Sequence, residues 1–366
     1  MKGSVLTKVI IAIVVIALIG GAVFLGIMYV NENNKKNSES ILYLNNVEVP
    51  KATEVKEPKT FKGEDRPIAV MIDNHIDAMP QSGLNSAYMI YEFIVEGGQT
   101  RLMALFKGVD VEKIGPLRSS RHYYLDYALE HDAIYVHWGW SPQAETDISR
   151  LGINNINGGF ESSEAFWRDP ERTKKLDLEH TGVSSTSAIL EIANQKGYEV
   201  TSKQKSVLNY VAEEIELDSD IEATTVTIPY SDYNTVSYEY DSTTKRYTRY
   251  SRDTKQTDWD TGETLTVKNI IIAKCKNWTI SGDEKGRQDI DNIGVLEGYY
   301  ITNGKAIPIT AEKESRESQT VYKDLNGNEI QVNDGNTFVQ VCPITSEIVI
   351  EPGTTQNTET TSSTVE

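Results

Sequence analysis

MIYEFIVEGGQTRLMALF (residues 89–106) predicts a β-hairpin in which Gly97 and Gly98 form a two-residue turn between two apolar strands. Side chains alternate along a strand, so each strand presents two different faces. One face of the first strand is wholly apolar and is expected to lie in the core. Its residues are Tyr91, Phe93 and Val95.

The other face of this hairpin carries charge. With a two-residue turn Ile94 lies opposite Arg101, which places Arg101 diagonally between Glu92 and Glu96. If residues 88–96 were helical instead, the two glutamates would still be i, i+4 neighbours. Either structure, strand or helix, places Glu92 and Glu96 close together. The group could be a ligand site, or a solvated ladder of ion pairs that contributes little to stability.

A second charged group follows in IGPLRSSRHYYLDYALEHDA (residues 114–133), which predicts a turn, a helix and the start of a strand. Arg118 and Arg121 fall where that helix is expected to begin, although cations are favoured at the opposite end of a helix. Helical spacing puts Arg121 on the same face as Leu125 and Ala128, so its side chain should point inward.

An inward-pointing arginine requires a negative partner. A carboxylate of the protein could supply it, and so could a bound anion held by helix N–H groups and two guanidiniums. The carboxylates expected nearby are Asp73, Glu92 and Glu96.

Histidines lie at or just after the ends of two further predicted strands. RPIAVMIDN (residues 66–74) predicts a buried strand that ends at Asp73, and AIYVHWGW (residues 133–140) predicts another, with His137 near its end. His137 could line an active-site rim or belong to the core. His75, His137 and His180 could bind a metal with Asp73 only if folding gathers them, and no tight metal-ligand spacing is present. We therefore predict no metal and no cofactor.

The remaining pattern predicts two domains. Helices are expected over residues 141–152, with Ser141 as N-cap, over residues 184–198, ending near Gly197, and over residues 203–214. Residues 63–210 are predicted to form an α/β or α+β domain with a mixed sheet. Residues 222–350 contain short β-rich runs and are predicted to form a mostly antiparallel β domain.

The N-terminal region predicts a membrane anchor. Residues 9–30 are uncharged and apolar, which favours a single transmembrane helix over a cleaved signal peptide. Residues 1–8 would be a cytoplasmic stub and residues 31–62 a flexible linker, so the body would lie outside the plasma membrane. Residues 351–366 are predicted to be disordered.

Composition narrows the choice of partner. The formal net charge of −18 argues against nucleic acid, because phosphate binding requires a basic surface. Nucleophile elbows, phosphate loops and dinucleotide fingerprints are absent from the sequence. The two cysteines, Cys275 and Cys342, lie in strand-like segments, where they could form a disulfide between neighbouring strands or remain separate buried thiols.

The run PQSGL…YE…EGGQTR…IGPLRSSR, within residues 66–143, resembles the YerB-like extracytoplasmic proteins (domain of unknown function 3048). KNIIIAK and GYYITNGKAIPI match the second domain of that family more loosely. The resemblance implies an N-terminal and a C-terminal domain and a location outside the membrane, mainly in Gram-positive bacteria, but no reaction. Many relatives are lipoproteins, whereas this chain lacks the lipobox cysteine. Relatives often carry Pro-His-Asn where it has Glu179-His180-Thr181, and a tryptophan-lysine pair that is missing near residues 310–313.

Three functional hypotheses follow. The first is a membrane-anchored envelope protein that binds an anionic small molecule or cell-wall polymer. The second is an envelope glycan hydrolase or transferase that uses Glu92 and Glu96 as its acid/base pair. The third is a structural interaction module without a ligand. Neither a catalytic residue nor the oligomeric state can be assigned from the sequence. The ligand-binding candidates are Asp73, Glu92, Glu96, Arg101, Arg118, Arg121 and His137.

Overall fold

The computed structural model describes Leu25, residues 28–32 and residues 56–353, and the first two groups are helical. Strands dominate the rest. β1–β7 are Ile68–Asp73, Met89–Ile94, Thr100–Phe106, Ile134–His137, Asn155–Asn157, Trp167–Arg168 and Gly182–Val183. β8–β14 are Asn209–Val211, Thr225–Pro229, Thr235–Asp241, Arg246–Ser251, Thr254–Lys255, Thr266–Val267 and Asn269–Thr279. β15–β21 are Gln288–Asp291, Gly294–Thr302, Lys305–Lys313, Val321–Asp324, Gln331–Asn333, Thr337–Pro343 and Val349–Glu351.

Short helices connect some of these strands. The α-helices α1–α4 are Tyr124–Glu130, Pro142–Arg150, Pro170–Thr173 and Thr186–Gln195. Single 3₁₀ turns occupy Ile76–Ala78, Leu84–Ser86, Glu96–Gly98 and Leu178–His180.

Eleven strands form one mixed sheet, here called the large sheet. Its order is β18-β17-β16-β14-β20-β2-β3-β1-β4-β5, and β15 pairs with β14. The pairs β14–β20, β20–β2, β1–β4 and β4–β5 are parallel, and the others are antiparallel. The two halves of the chain meet where β2 pairs with β20, with Tyr91 opposite Val339. Both central strands are buried along almost their whole length, as their nearly continuous apolar runs require.

Separate hydrophobic clusters cover the two faces of the large sheet. On one face, Val70 and Ile72 of β1 pack in a cluster with Ile189 of α4. The same cluster contains Val226 and Tyr247 from a six-stranded antiparallel sheet that consists of β9–β13 and β21. On the other face, a second cluster includes Met71, Tyr91 and Phe93 together with α1. The large sheet is therefore the middle layer of the fold.

The predicted fold class is wrong. An α/β or α+β domain followed by a separate, mostly antiparallel domain does not describe a chain whose two halves share one mixed sheet. The apolar runs identified the strands, but pairing between strands more than two hundred residues apart leaves no mark on local periodicity. The predicted division into residues 63–210 and 222–350 stays a prediction, and strands from both stretches lie side by side.

The structure also does not support the single transmembrane helix of that fold class. Among the residues that it describes, no helix is long and apolar enough to cross a membrane. The predicted stub at residues 1–8 lies outside the described residues. So do most of the predicted span at 9–30, of the linker at 31–62 and of the tail at 351–366.

Two of the four predicted helices are confirmed together with their caps. α2 begins after Ser141, whose hydroxyl accepts a hydrogen bond from the Ala144 N–H, and Pro142 occupies the first turn. α4 ends just before Gly197, which has a φ of 73° and so adopts the left-handed conformation that favours glycine after a helix.

The other two predicted helices differ from the structure. α1 begins at Tyr124, later than expected, so Arg118 and Arg121 precede it instead of opening it. The helix predicted over residues 203–214 is wrong, because Tyr210 and its neighbours form β8, which pairs with β19. In both cases tertiary contacts outweigh a local pattern that is compatible with a helix.

The two cysteines remain separate buried thiols. They do lie on neighbouring parallel strands, β14 and β20, but Lys274 is the partner of Cys342, and Pro343 is the partner of Cys275. This one-residue offset directs the two thiols to opposite faces of the sheet, and each belongs to a different hydrophobic cluster. Burial raises the pKa of both thiols to about 12.

The shared sheet leads to a prediction about the isolated N-terminal half. Residues 56–210 expressed alone should fail to fold cooperatively, because β2 would expose the edge and the apolar face that β20 and its neighbours cover. Far-ultraviolet circular dichroism during urea titration measures this, with residues 56–353 as the control. A cooperative transition of the shorter chain, close in midpoint to that of the control, would contradict the prediction.

Candidate functional site

The candidate site lies at the edge of the large sheet where β1 and β4 end, at Asp73 and His137. Strand direction changes here, because β1 is parallel to β4 and antiparallel to β3. In α/β sheets, ligands commonly bind beyond the carboxyl ends of parallel strands such as β1 and β4. In this protein the segment 114–123 crosses the edge. The N–H of Arg118 donates to the Met71 carbonyl, and the N–H of Trp138 donates to the Arg118 carbonyl.

The turn of the β2–β3 hairpin was predicted in the correct place but with the wrong register. Gly97 and Gly98 both have positive φ, as expected, but Glu96 is a third loop residue. Ile94 therefore pairs with Thr100 instead of Arg101. A shift of one residue moves a side chain to the opposite face of a sheet.

Because of this register, the predicted Glu92–Arg101–Glu96 group does not form. Arg101 pairs with Phe93 and lies on the α1 side of the sheet, whereas Glu92 points to the opposite face. The apolar face predicted to be core is buried as expected. Its residues are Tyr91, Phe93 and Val95.

Glu96 binds two arginines, in an arrangement here called the Glu96 cluster. Arg121 donates from both Nε and Nη2 to the Glu96 carboxylate, and Arg101 Nη2 lies 3.7 Å from Glu96 Oε1. Both arginine residues are 6% exposed. Burial opposes ionisation of Glu96, but the hydrogen bonds from Arg121 and the charge of Arg101 outweigh it and lower the pKa of Glu96 to about 2.

Glu92 forms a different ion pair, with Arg249 of β11, and both side chains are completely buried. The Glu92 carboxylate also accepts from Thr100 Oγ1 at 2.6 Å and from Asn74 Nδ2 at 3.1 Å. Arg249 stacks over the Phe338 ring, with the guanidinium carbon 5.0 Å from its centroid. This pair connects the large sheet to the six-stranded sheet, so Glu92 does not share a surface with the other candidates.

Asp73 is the centre of a third group, here called the Asp73 cluster. Its carboxylate contacts His180 Nδ1 at 2.8 Å and Arg118 Nε at 3.3 Å, and it accepts from the His75 N–H at 3.0 Å. Burial opposes ionisation, but the hydrogen bond from His180 and the charge of Arg118 prevail and lower the pKa of Asp73. The same hydrogen bond raises the pKa of His180.

Arg118 extends from this cluster toward the surface. Its Nη2 lies 2.7 Å from the carboxylate of Glu179. The Arg118 side chain is 24% exposed and that of Glu179 is 57% exposed, whereas Asp73 is buried. Arg118 is therefore the predicted arginine that solvent reaches most easily.

His137 lies apart from the carboxylates. Its Nδ1 is 2.8 Å from the Gly139 carbonyl, its Nε2 is 3.3 Å from Asn155 Oδ1, and its ring contacts those of Tyr135 and Trp140. Burial lowers the pKa of His137 to about 4, so the ring is neutral at physiological pH. From the sequence, His137 could line an active-site rim or belong to the core, and these contacts are those of a core residue.

Folding thus divides the seven candidates among four places. Glu96, Arg101 and Arg121 lie together, as do Asp73 and Arg118, while Glu92 and His137 are separate. Sequence reasoning missed Arg249 and Arg168. Arg249 could have been found from alternation, since Tyr247, Arg249 and Ser251 share a buried face. Arg168 stacks on Trp138 at 4.3 Å, and no sequence pattern indicates this contact.

Comparison with known proteins identifies the family. A family described as "Protein of unknown function (DUF3048) N-terminal domain" matches residues 53–199, and its C-terminal domain matches residues 226–339. The chain is also 32% identical over 275 residues to "Putative lipoprotein YerB" of Bacillus subtilis (strain 168), covering 74% of this chain and 77% of that protein. This chain belongs to the DUF3048 family.

A solved structure of a relative shares the fold of this DUF3048 member. The crystal structure of YerB protein from Bacillus subtilis has 29% sequence identity to it and a TM-score of 0.70, covering 81% of this chain and 100% of that chain. The resemblance drawn from the sequence motifs is therefore confirmed.

The Glu92–Arg249 pair leads to a prediction about stability. Arg249→Ala leaves a buried carboxylate without its charged partner and should lower the free energy of unfolding by about 3–5 kcal/mol. The double variant Glu92→Leu/Arg249→Met removes both charges and should lose less than the single variant does. Urea unfolding of the single and double variants measures the coupling.

Lys174→Ala is the matched control, because it removes an exposed ion pair with Glu171 and should change the free energy of unfolding very little. A loss for Arg249→Ala as small as that of the control would contradict the assignment.

His137 leads to a prediction about pH. Its pKa of about 4 in the folded chain lies below the ordinary value of about 6.5, so the unfolded chain binds the proton first as pH falls. The free energy of unfolding should therefore decrease between about pH 6.5 and 4, by up to about 1.4 kcal/mol per pH unit.

Urea titrations across this window should give a shallower pH slope for His137→Gln than for the native chain. His131, whose pKa burial also lowers to about 4, would account for part of the remaining slope. His122→Gln, at a half-buried histidine, serves as control. An unchanged slope in His137→Gln would show that His137 is not buried in its neutral form.

Proposed function

We propose that this protein is an extracytoplasmic component of the cell envelope that binds an anionic ligand around Arg118. The location is supported by the name of its Bacillus subtilis relative, which describes that protein as a lipoprotein. The ligand would be a phosphate- or carboxylate-bearing molecule or polymer of the envelope.

The observation that carries the proposal is the pairing of Arg118. Its inner partner, Asp73, is buried and fixes Nε, whereas its outer partner, Glu179, is 57% exposed. An exposed ion pair is worth only about 0–1 kcal/mol, so an incoming anion can replace the Glu179 carboxylate at little cost. The Nη groups of Arg118 would then bind the anion in a forked geometry.

A second cation lies near the same turn. Arg168 donates to the carbonyl of Leu178, and Arg118 Nη1 donates to the carbonyl of Glu179 at 3.4 Å, so two guanidiniums contact the 3₁₀ turn Leu178–His180. Arg168 is exposed and stacks on Trp138. Arg168 therefore adds a second positive charge beside this turn.

The other arginines would act indirectly. Arg101 and Arg121 are almost fully buried, and Glu96 already binds both. Their role in this proposal is to hold the segment 114–123 against the hairpin and so to keep Arg118 in place. Arg101 also contacts this segment directly, through the carbonyl of Ser119.

No observation favours the glycan hydrolase hypothesis. A general acid requires a raised pKa and access to substrate, whereas Glu96 has a pKa of about 2 and Glu92 is completely buried against Arg249. The structural module remains the alternative outcome of the test below.

Binding of a phosphodiester polymer tests the proposal, with opposite effects expected from two substitutions. Arg118→Gln should weaken the binding of poly(glycerol phosphate) by about tenfold or more, equivalent to about 1.4 kcal/mol, because the fork is lost. Glu179→Gln should strengthen binding, because it removes the carboxylate that competes for the same guanidinium. Isothermal titration calorimetry of the purified full chain measures both effects.

Arg150→Gln is the control, since its side chain is 59% exposed on α2 and belongs to another ion pair. Equal affinity of the native chain, Arg118→Gln and Glu179→Gln would refute the proposal. If Arg118→Gln instead lowers the melting temperature severely, and neither the native chain nor any variant binds the polymer, the protein is a structural interaction module without a ligand.

A further inference from the structure

A cluster of potential metal ligands lies beside Arg118. The side chains of His75, Asp77 and His180 each offer one ligand atom, and these atoms lie within 4.8 Å of one another. His75 and Asp77 follow β1, whereas His180 belongs to the turn before β7. The sequence predicts no metal because His180 lies far along the chain from His75 and Asp77, and only folding brings it beside them.

Asp73 fixes the orientation of the His180 ring. Because Nδ1 of His180 contacts the Asp73 carboxylate at 2.8 Å, the proton belongs on Nδ1, and Nε2 keeps its lone pair. Metal-binding histidines characteristically donate their second ring N–H to a carboxylate in this way. Asp73 also accepts from the His75 N–H, so one buried carboxylate positions both segments.

The His75 and Asp77 side chains lie beside the His180 ring. The His75 and His180 rings stack with centroids 5.1 Å apart and planes inclined by 13°. His75 Nδ1 lies 3.4 Å from Asp77 Oδ2 and accepts a hydrogen bond from the Asp77 N–H at 3.2 Å, which an ion bound at Nδ1 would replace. The Asp77 side chain is 66% exposed, which leaves an approach open to solvent.

The local charge also favours a cation. The carboxylates of Asp73, Asp77 and Glu179 surround the two imidazoles, and Glu179 Oε1 lies 3.8 Å from His180 Nε2. Arg118 is the guanidinium that contacts Asp73 and Glu179, and it offsets only part of this negative charge.

We propose that His75, Asp77 and His180 bind one divalent first-row transition-metal ion, with Asp73 as a positioning residue. Two imidazoles and a carboxylate are ligands that bind Zn²⁺ and other divalent first-row transition-metal ions, whereas Mg²⁺ and Ca²⁺ prefer oxygen ligands alone. The exposed side of Asp77 leaves a coordination position for water or a ligand atom. This inference goes beyond the anion site, because Arg118 is not a ligand of the metal.

Titration of Zn²⁺ into the purified full chain, after treatment with a chelator, tests the proposal. The native chain should bind one equivalent, and His75→Ala and His180→Ala should each abolish this binding or weaken it by about a hundredfold. His122→Ala is the matched control, because His122 also pairs with an aspartate, Asp289 at 2.8 Å, but lies outside the cluster. Titration of Mg²⁺ should give no comparable binding.

The role of Asp73 and the independence of the two sites need further variants. Asp73→Asn should keep the stoichiometry of one while lowering Zn²⁺ affinity by about 10–100-fold, as expected for a carboxylate that orients a ligand. Arg118→Gln should retain Zn²⁺ binding even where it loses binding of the phosphodiester polymer, so the two proposals can fail separately.

Circular dichroism of every variant excludes misfolding as the cause of a loss, and His75→Ala is informative because its side chain is 23% exposed. A native chain that binds well below one equivalent of Zn²⁺, or a folded His75→Ala with native affinity, would overturn the metal proposal.

Discussion

The parallel pairing of β2 with β20 holds the two halves of the chain together. It converts strands from both halves of the chain into one sheet, and it brings β11 over the face that carries Glu92. The buried Glu92–Arg249 pair follows from that arrangement. Neither charge could be buried alone without a large loss of stability, so the ion pair makes the two halves depend on each other.

The need to pair buried charges also determines the contacts at the edge of the sheet where the candidate site lies. Each arginine that the segment 114–123 directs toward the interior meets a carboxylate, Glu96 for Arg121 and Asp73 for Arg118. The difference between them is exposure. Arg121 is buried and its partner is fixed, while Arg118 shares its guanidinium with the exposed Glu179, and this difference makes Arg118 the better contact for a ligand.

Local features could be predicted from the sequence, and features that depend on distant segments could not. Ser141 and Gly197 mark helix ends through their own backbone and side-chain chemistry, and the strand that ends at Asp73 follows from a short apolar run. The hairpin turn at Gly97–Gly98 was predictable, but its register was not. A single extra loop residue separated Glu92 from Arg101, because the face of every later side chain depends on that count.

Residue types and local patterns were therefore enough to predict which segments are buried and where several of them end. They also indicated that the inward arginines need carboxylates and to which family the chain belongs. These properties depend on residue types within a few positions of one another. The three-dimensional fold was needed to show that the two halves share a sheet, that Cys275 and Cys342 face apart, and that His75 and His180 stack beside Asp73. Strand pairing and the pairing of buried charges join segments that are distant in the chain. Which segments pair depends on how the whole core packs, so local patterns do not reveal it.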